Sequence, residues 1–83
     1  MPQVSIDIPN DLLLTLREQP AEFAHEMRLI AAIHYLCEKR LSLGQAARLA
    51  GMNRLDFLDV LTARGIPAFD LSVEDATAEI AAT

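Results

Sequence analysis

Residues 42–65 read Ser-Leu-Gly-Gln-Ala-Ala-Arg-Leu-Ala-Gly-Met-Asn-Arg-Leu-Asp-Phe-Leu-Asp-Val-Leu-Thr-Ala-Arg-Gly. This pattern predicts two short helices joined by a tight turn. Ser42 is a good N-cap for the first helix, and Gln45, three residues later, completes a capping box. Gly51 lies where the first helix must stop, because the left-handed backbone conformation at a helix end costs least at glycine.

The second helix has its own start and stop signals. Asn53 caps its N-terminus, and Asp56 supplies an acidic side chain that the helix dipole favours there. Gly65 ends the helix. Ala47 and Gly51 are small residues four apart, as close packing of two short helices requires. The window therefore predicts a helix-turn-helix.

The charge of the chain is unevenly distributed. The net charge is −5 over 83 residues, a length that indicates one domain. Residues 1–41 hold six acids and four bases (net −2), residues 42–65 three arginines and two aspartates (net +1), and residues 66–83 four acids and no base (net −4). An acidic chain disfavours non-specific binding of nucleic acid, but it leaves open a small dimeric DNA reader with a local basic face.

The composition also bears on assembly and location. Apolar residues make up 52% of the chain, more than one small core can bury, so we expect an oligomer or a complex. The single cysteine, Cys37, cannot form an internal disulfide and indicates a reducing, cytoplasmic setting. We expect no signal peptide and no membrane span, because no apolar run approaches 18 residues.

Residues 3–8 alternate polar and apolar side chains and predict a half-buried strand that Pro9 stops. In ribbon–helix–helix proteins such strands pair across a dimer and their outward side chains read the major groove. Here the outward Asp7 would oppose the phosphates, which favours pairing between two copies instead. The predicted dimerisation residues are the apolar ones, Val4, Ile6 and Ile8.

The remaining segments predict a mainly α fold. Asn10 caps a short leucine-rich helix, and a longer helix extends from about Ala21 to Arg40. Residues 66–71 form a candidate second short strand, and Ser72 opens a weak C-terminal helix over residues 73–81. The chain thus divides into one helix-turn-helix domain, residues 1–71, and an acidic tail or short helix, residues 72–83.

Amide, hydroxyl and arginine side chains cluster around the starts of the two short helices, where they can meet phosphates and base edges. On the second helix, Asp56 and Asp59 would face phosphates badly, and Leu55 and Leu58 resemble protein-contact residues. A scaffold hairpin that does not bind DNA therefore stays an alternative. No catalytic set and no metal site is indicated, so we expect neither an enzyme nor a cofactor. The candidate DNA-binding residues are Ser42, Gln45, Arg48, Asn53 and Arg54.

The chain resembles, from end to end, a family of small prokaryotic antitoxins long known only as an uncharacterised protein family. The matching segments are the strand and leucines at residues 4–13, the alanine-rich helix at 28–40, the Leu-Ser-Leu-Gly-Gln-Ala-Ala-x-Leu-Ala-Gly-Met motif at 41–52, the Asp-Phe-Leu at 56–58 and the Arg-Gly-Ile-Pro at 64–67. The chain has Asn53 where many members have serine, and both residues can cap a helix.

The resemblance implies a type II toxin-antitoxin pair. Its members are thought to neutralise a PIN-like ribonuclease toxin encoded beside them and to repress the shared promoter by binding operator DNA. In this chain the acidic stretch with interspersed apolar residues is the candidate toxin-binding segment, because acids alone would simply be solvated. The predicted toxin-binding residues are Phe69, Leu71, Val73, Glu74, Asp75 and Ile80.

Overall fold

The structure, a computed structural model, describes residues 1–66 and contains four helices in that range. They are α1 (Asn10–Leu16), α2 (Pro20–Cys37), α3 (Leu43–Ala50) and α4 (Arg54–Ala63). The predicted mainly α fold is therefore confirmed. Of the predicted second strand only Ile66, which packs against the core, lies within the described residues. The predicted C-terminal helix and the domain boundary at residue 71 lie outside them.

The predicted N-terminal strand is wrong for this chain on its own, because residues 1–9 adopt no regular secondary structure. A strand is stable only when its backbone groups bond to a neighbouring strand, and no other strand occurs in the part of the chain described. The apolar side chains consequently stay outside the core: Val4 is 83% exposed and Ile6 58%. Pairing of this segment with a second copy stays a prediction.

Helix α1 begins at its predicted cap residue, Asn10, and therefore one residue earlier than predicted. Pro9 occupies the N-cap position and makes no side-chain capping bond, so Asn10 is the first helical residue rather than the cap. The helix contains four leucines among seven residues and buries none of them fully. A helix that is apolar on several sides usually packs against another element. Residues 1–66 alone leave much of the leucine surface of α1 exposed to solvent.

Helix α2 begins at Pro20 and ends at Cys37, three residues before the predicted end. At its start, the Gln19 backbone N–H donates to Glu22 Oε1 at 3.0 Å. At its end, Lys39 adopts the left-handed conformation with φ 59°. The Lys39 N–H donates to the Leu36 carbonyl at 2.9 Å, and the next N–H, of Arg40, reaches the Tyr35 carbonyl at 2.9 Å. This Schellman motif stops the helix without a glycine.

Helices α2, α3 and α4 pack around one core, and α3 carries the largest share of its small residues. Alanines at the contacts allow the helices to approach closely, while Leu43, Phe57 and Leu61 are the largest side chains that are fully buried. No helix of the described range is both long and apolar enough to cross a membrane. The buried core residues are Leu29, Ala32, Leu36, Leu43, Ala46, Ala47, Ala50, Phe57 and Leu61.

Candidate nucleic-acid interface

The start of α3 has the predicted capping box. The Ser42 hydroxyl accepts a hydrogen bond from the Gln45 backbone N–H at 3.1 Å, and Gln45 Oε1 accepts from the Ser42 backbone N–H at 2.9 Å. Both side-chain oxygens thus satisfy backbone donors that a helix start otherwise leaves without partners. Gln45 therefore offers an approaching ligand its amide N–H groups rather than its oxygen.

The turn between α3 and α4 is fixed by Gly51, as predicted. Gly51 has φ 74°, and its N–H donates to the Arg48 carbonyl at 3.1 Å. The Met52 N–H donates to the Ala47 carbonyl at 2.9 Å, which completes a second Schellman motif. Only residues 51–53 therefore separate α3 from α4.

The start of α4 is capped by Asn53, as predicted. Asn53 Oδ1 accepts from the Asp56 backbone N–H at 2.8 Å, and Asn53 Nδ2 donates to Asp56 Oδ2 at 3.1 Å. Asp56 is thus bound to the capping residue, but the neutral amide leaves its negative charge in place, so the carboxylate would still oppose nearby phosphates.

Arg28, on α2, contacts the end of α3 and was not among the residues predicted from the sequence. Its Nε donates to the Leu49 carbonyl at 2.7 Å and its Nη2 to the Arg48 carbonyl at 3.4 Å. The guanidinium therefore caps the last turn of α3, where carbonyls lack helical partners and a cation is favoured by the dipole. No local pattern announces this contact, because Arg28 and these carbonyls are 20 and 21 residues apart in the sequence.

A second arginine that the reasoning missed lies beside the start of α3. The Arg40 guanidinium carbon lies 4.9 Å from the centre of the Tyr35 ring, a cation–π distance. Arg40 and Tyr35 line a shallow groove with Leu41, Gln45 and Leu49. Arg40 lies two residues before Ser42, the N-cap of α3, and this position in the sequence could have identified it as a candidate residue.

The outer faces of α3 and α4 differ in chemistry. On α3, Gln45 and Arg48 are exposed opposite the buried alanines, so this face is polar and basic. On α4, Phe57 and Leu61 turn inward, and the exposed side carries Leu55, 75% exposed, and Asp59. The face of α4 is therefore apolar and acidic, whereas arginine occurs only at its start.

The far end of α4 is joined to α2 by an ion pair. Arg64 Nη2 donates to Glu26 Oε1 at 3.0 Å, with the two side chains 40% and 38% exposed. Helix α2 thus contacts both helices of the motif through polar side chains: α3 through Arg28 and α4 through Glu26.

The structure gathers the five candidate DNA-binding residues along one continuous unit at the starts of α3 and α4 and between them. Ser42 is half-buried, and Gln45, Arg48, Asn53 and Arg54 are exposed. The three candidate dimerisation residues lie apart from this unit in the N-terminal segment, where Ile8 is half-buried. The six candidate toxin-binding residues lie outside the described range. Within residues 1–66 no three metal-ligating side chains of the His, Cys, Asp and Glu types come together.

These features define a small helical protein built around a helix-turn-helix unit. The chain belongs to the uncharacterised protein family UPF0175, whose model matches residues 1–83. A relative from Aeropyrum pernix, described as a UPF0175 protein, is 34% identical over 65 residues, which cover 78% of this chain and 68% of the relative. No solved structure is significantly similar to the chain.

Proposed function

We propose that this protein is the non-enzymatic antitoxin of a type II toxin-antitoxin pair, acting in the cytoplasm, and that it binds the DNA of its own promoter. The observation that carries the DNA-binding part is the α3–turn–α4 unit. In it, Gln45 and Arg48 face outward on α3 and Arg54 begins α4. The resemblance to small antitoxins motivates the toxin-binding part.

The polar groups of this unit suit a DNA backbone. Arginine, amide side chains and helix N-termini are the groups that most often bond to phosphate oxygens. Arginine can also pair with guanine in the major groove. The positive balance of residues 42–65, in a chain that is acidic elsewhere, supports contact by this unit and not by another face.

A homodimer would present two such units to a palindromic operator. Helix-turn-helix dimers bind half-sites one helical turn apart, about 34 Å. We propose that the copies pair through Val4, Ile6 and Ile8. Pairing with a second strand would give the backbone of this segment hydrogen-bond partners and would bury its apolar side chains, which alternate with polar ones.

The toxin partner is proposed to be a PIN-like ribonuclease. The candidate contact is the segment after residue 66, which combines four acids with apolar residues and has no base. Charge complementarity of this kind speeds association and selects partners. Phe69, Leu71, Val73 and Ile80 would supply the apolar contacts, with Glu74 and Asp75 among the acids.

The test is a gel-shift titration on the promoter upstream of the protein's own gene, with and without the co-expressed toxin. Arg48→Ala and Arg54→Ala should each weaken binding. An arginine that contacts phosphate should lower the salt slope by about one, and one paired with guanine should cost about 1–3 kcal/mol and relax one base position. Arg17→Ala, a change of the same kind outside the motif, serves as the control. If neither the free protein nor its toxin complex binds the promoter, the DNA-binding proposal fails.

A second candidate function is a protein-interaction module whose helix-turn-helix is only a scaffold. The exposed Leu55 and Asp59 on α4 favour it, because the corresponding face would meet the major groove in a DNA reader. Under this alternative, Leu55→Ala should reduce co-purification with the toxin. The control is Leu12→Ala on α1, which also changes an exposed leucine and should leave co-purification unchanged. Retained co-purification with Leu55→Ala would leave the DNA-binding proposal as the better account of α4.

A further inference from the structure

Helix α2 holds the end of α3 at the point where the chain turns toward α4. The contact consists of the two Arg28 hydrogen bonds to the carbonyls of Leu49 and Arg48. The Arg48 carbonyl also accepts the Gly51 N–H that closes the turn. Arg28 therefore bonds to the same backbone group that sets the geometry of Gly51.

We propose that Arg28 is a positioning residue that fixes the direction in which α4 leaves the turn, and so sets the placement of the DNA-contacting residues Asn53 and Arg54. The inference rests on the proposed DNA binding. It assigns Arg28 a role without contact to DNA, because its Nε and one Nη are directed to protein carbonyls.

Three features of the site support positioning over general stabilisation. A planar guanidinium holds two adjacent carbonyls in one orientation, which a flexible ammonium does not. The hydrogen bonds occur at the last turn of α3, within a few residues of the α4 cap, rather than in the core. The guanidinium also lies beside Gly51, where a Cβ would be 3.5 Å from its Nη1, so the arginine packs against the turn as well as bonding to it.

Arg64 provides a matched control. It also joins α2 to the motif by a hydrogen bond from a guanidinium, to Glu26 at 3.0 Å, but at the far end of α4. Arg28→Ala and Arg64→Ala each remove one positive charge; the first removes two interhelical hydrogen bonds and the second removes one. Only the first releases the turn.

The experiment measures promoter affinity, salt slope and amide hydrogen exchange for the full chain, for Arg28→Ala, Arg28→Lys and Arg64→Ala. We expect Arg28→Ala to weaken promoter binding about tenfold, which corresponds to about 1.4 kcal/mol, with an unchanged salt slope. The amides of Gly51 and Met52 should exchange faster than in Arg64→Ala. Arg28→Lys keeps the positive charge but not the planar two-bond geometry, so it should restore only part of the affinity.

Three outcomes overturn the proposal. A salt slope reduced by about one in Arg28→Ala makes Arg28 a phosphate contact. Equal losses of affinity in Arg28→Ala and Arg64→Ala indicate a general structural role. Unchanged exchange at Gly51 and Met52 shows that the turn does not depend on Arg28. If the unmodified chain does not bind the promoter, the proposed function fails, and the exchange measurement alone still decides whether Arg28 orders the turn.

Discussion

Replacing Lys39 with glycine should stabilise the protein. Lys39 ends α2 in the left-handed conformation, φ 59°, which costs a residue with a Cβ about 1–2 kcal/mol. Glycine avoids this cost but loses about 0.4–1 kcal/mol through the greater freedom of the unfolded chain. The midpoints of these two ranges leave Lys39→Gly more stable by about 0.8 kcal/mol, which raises Tm by roughly 3–6 °C in a domain of this size.

The assay is thermal and urea unfolding followed by circular dichroism, with Lys39→Ala as the control. Alanine removes the lysine side chain and whatever it contacts but keeps the Cβ, so the difference between the two variants isolates the backbone effect. The converse change, Gly51→Ala at φ 74°, should cost a net amount of about 0.8 kcal/mol by the same reasoning, because the left-handed penalty is partly offset by the reduced freedom of the unfolded chain. A Lys39→Gly protein no more stable than Lys39→Ala would refute the argument.

Three further predictions concern the core, the N-terminal segment and the acidic tail. Phe57→Ala should leave the chain unfolded at room temperature, as measured by circular dichroism. Truncating a fully buried phenylalanine costs about 3–5 kcal/mol, which is as much stability as so small a core supplies. A cooperative thermal transition above room temperature would contradict this. Ile6→Asp should shift the protein from dimer to folded monomer in light scattering, and an unmodified chain that is already a folded monomer at micromolar concentration would refute strand pairing. Truncation after Leu71 should leave a folded protein that no longer neutralises or co-purifies with the toxin, and full neutralisation would move the toxin contact to the helices.

The caps of α3 and α4 could be predicted from the sequence because each is a local interaction. Ser42 bonds within three residues, Asn53 does the same, and Gly51 needs only its own backbone freedom. The end of α2 could not be predicted, because Lys39 adopts a conformation that sequence preferences assign to glycine. The prediction of an N-terminal strand was wrong for the single chain, because a strand requires a partner strand and the described residues contain none.

In the candidate site, too, local features could be predicted from the sequence and contacts between distant residues could not. Helical periodicity and the caps place Gln45 and Arg48 on the outer side of α3, as the structure has them. The Arg28 contact could not be foreseen, because it depends on the packing of α2 against α3. Interactions between distant residues are set by the fold, and a single sequence carries no local signal for them.

The distribution of charge links the two proposals of DNA binding and dimerisation. Each chain offers three arginines around the α3–turn–α4 unit, while Asp59 lies on the outer face of α4. Arg40 precedes α3, Arg48 lies in its last turn and Arg54 begins α4. Because phosphate contacts supply most non-specific affinity, one protomer with so few cations and a net charge of −5 would hold DNA weakly. Two units joined through residues 4–8 would double the contacts and make the second binding event intramolecular. Loss of pairing at Ile6 should therefore abolish promoter binding even though no residue of the helix-turn-helix is changed.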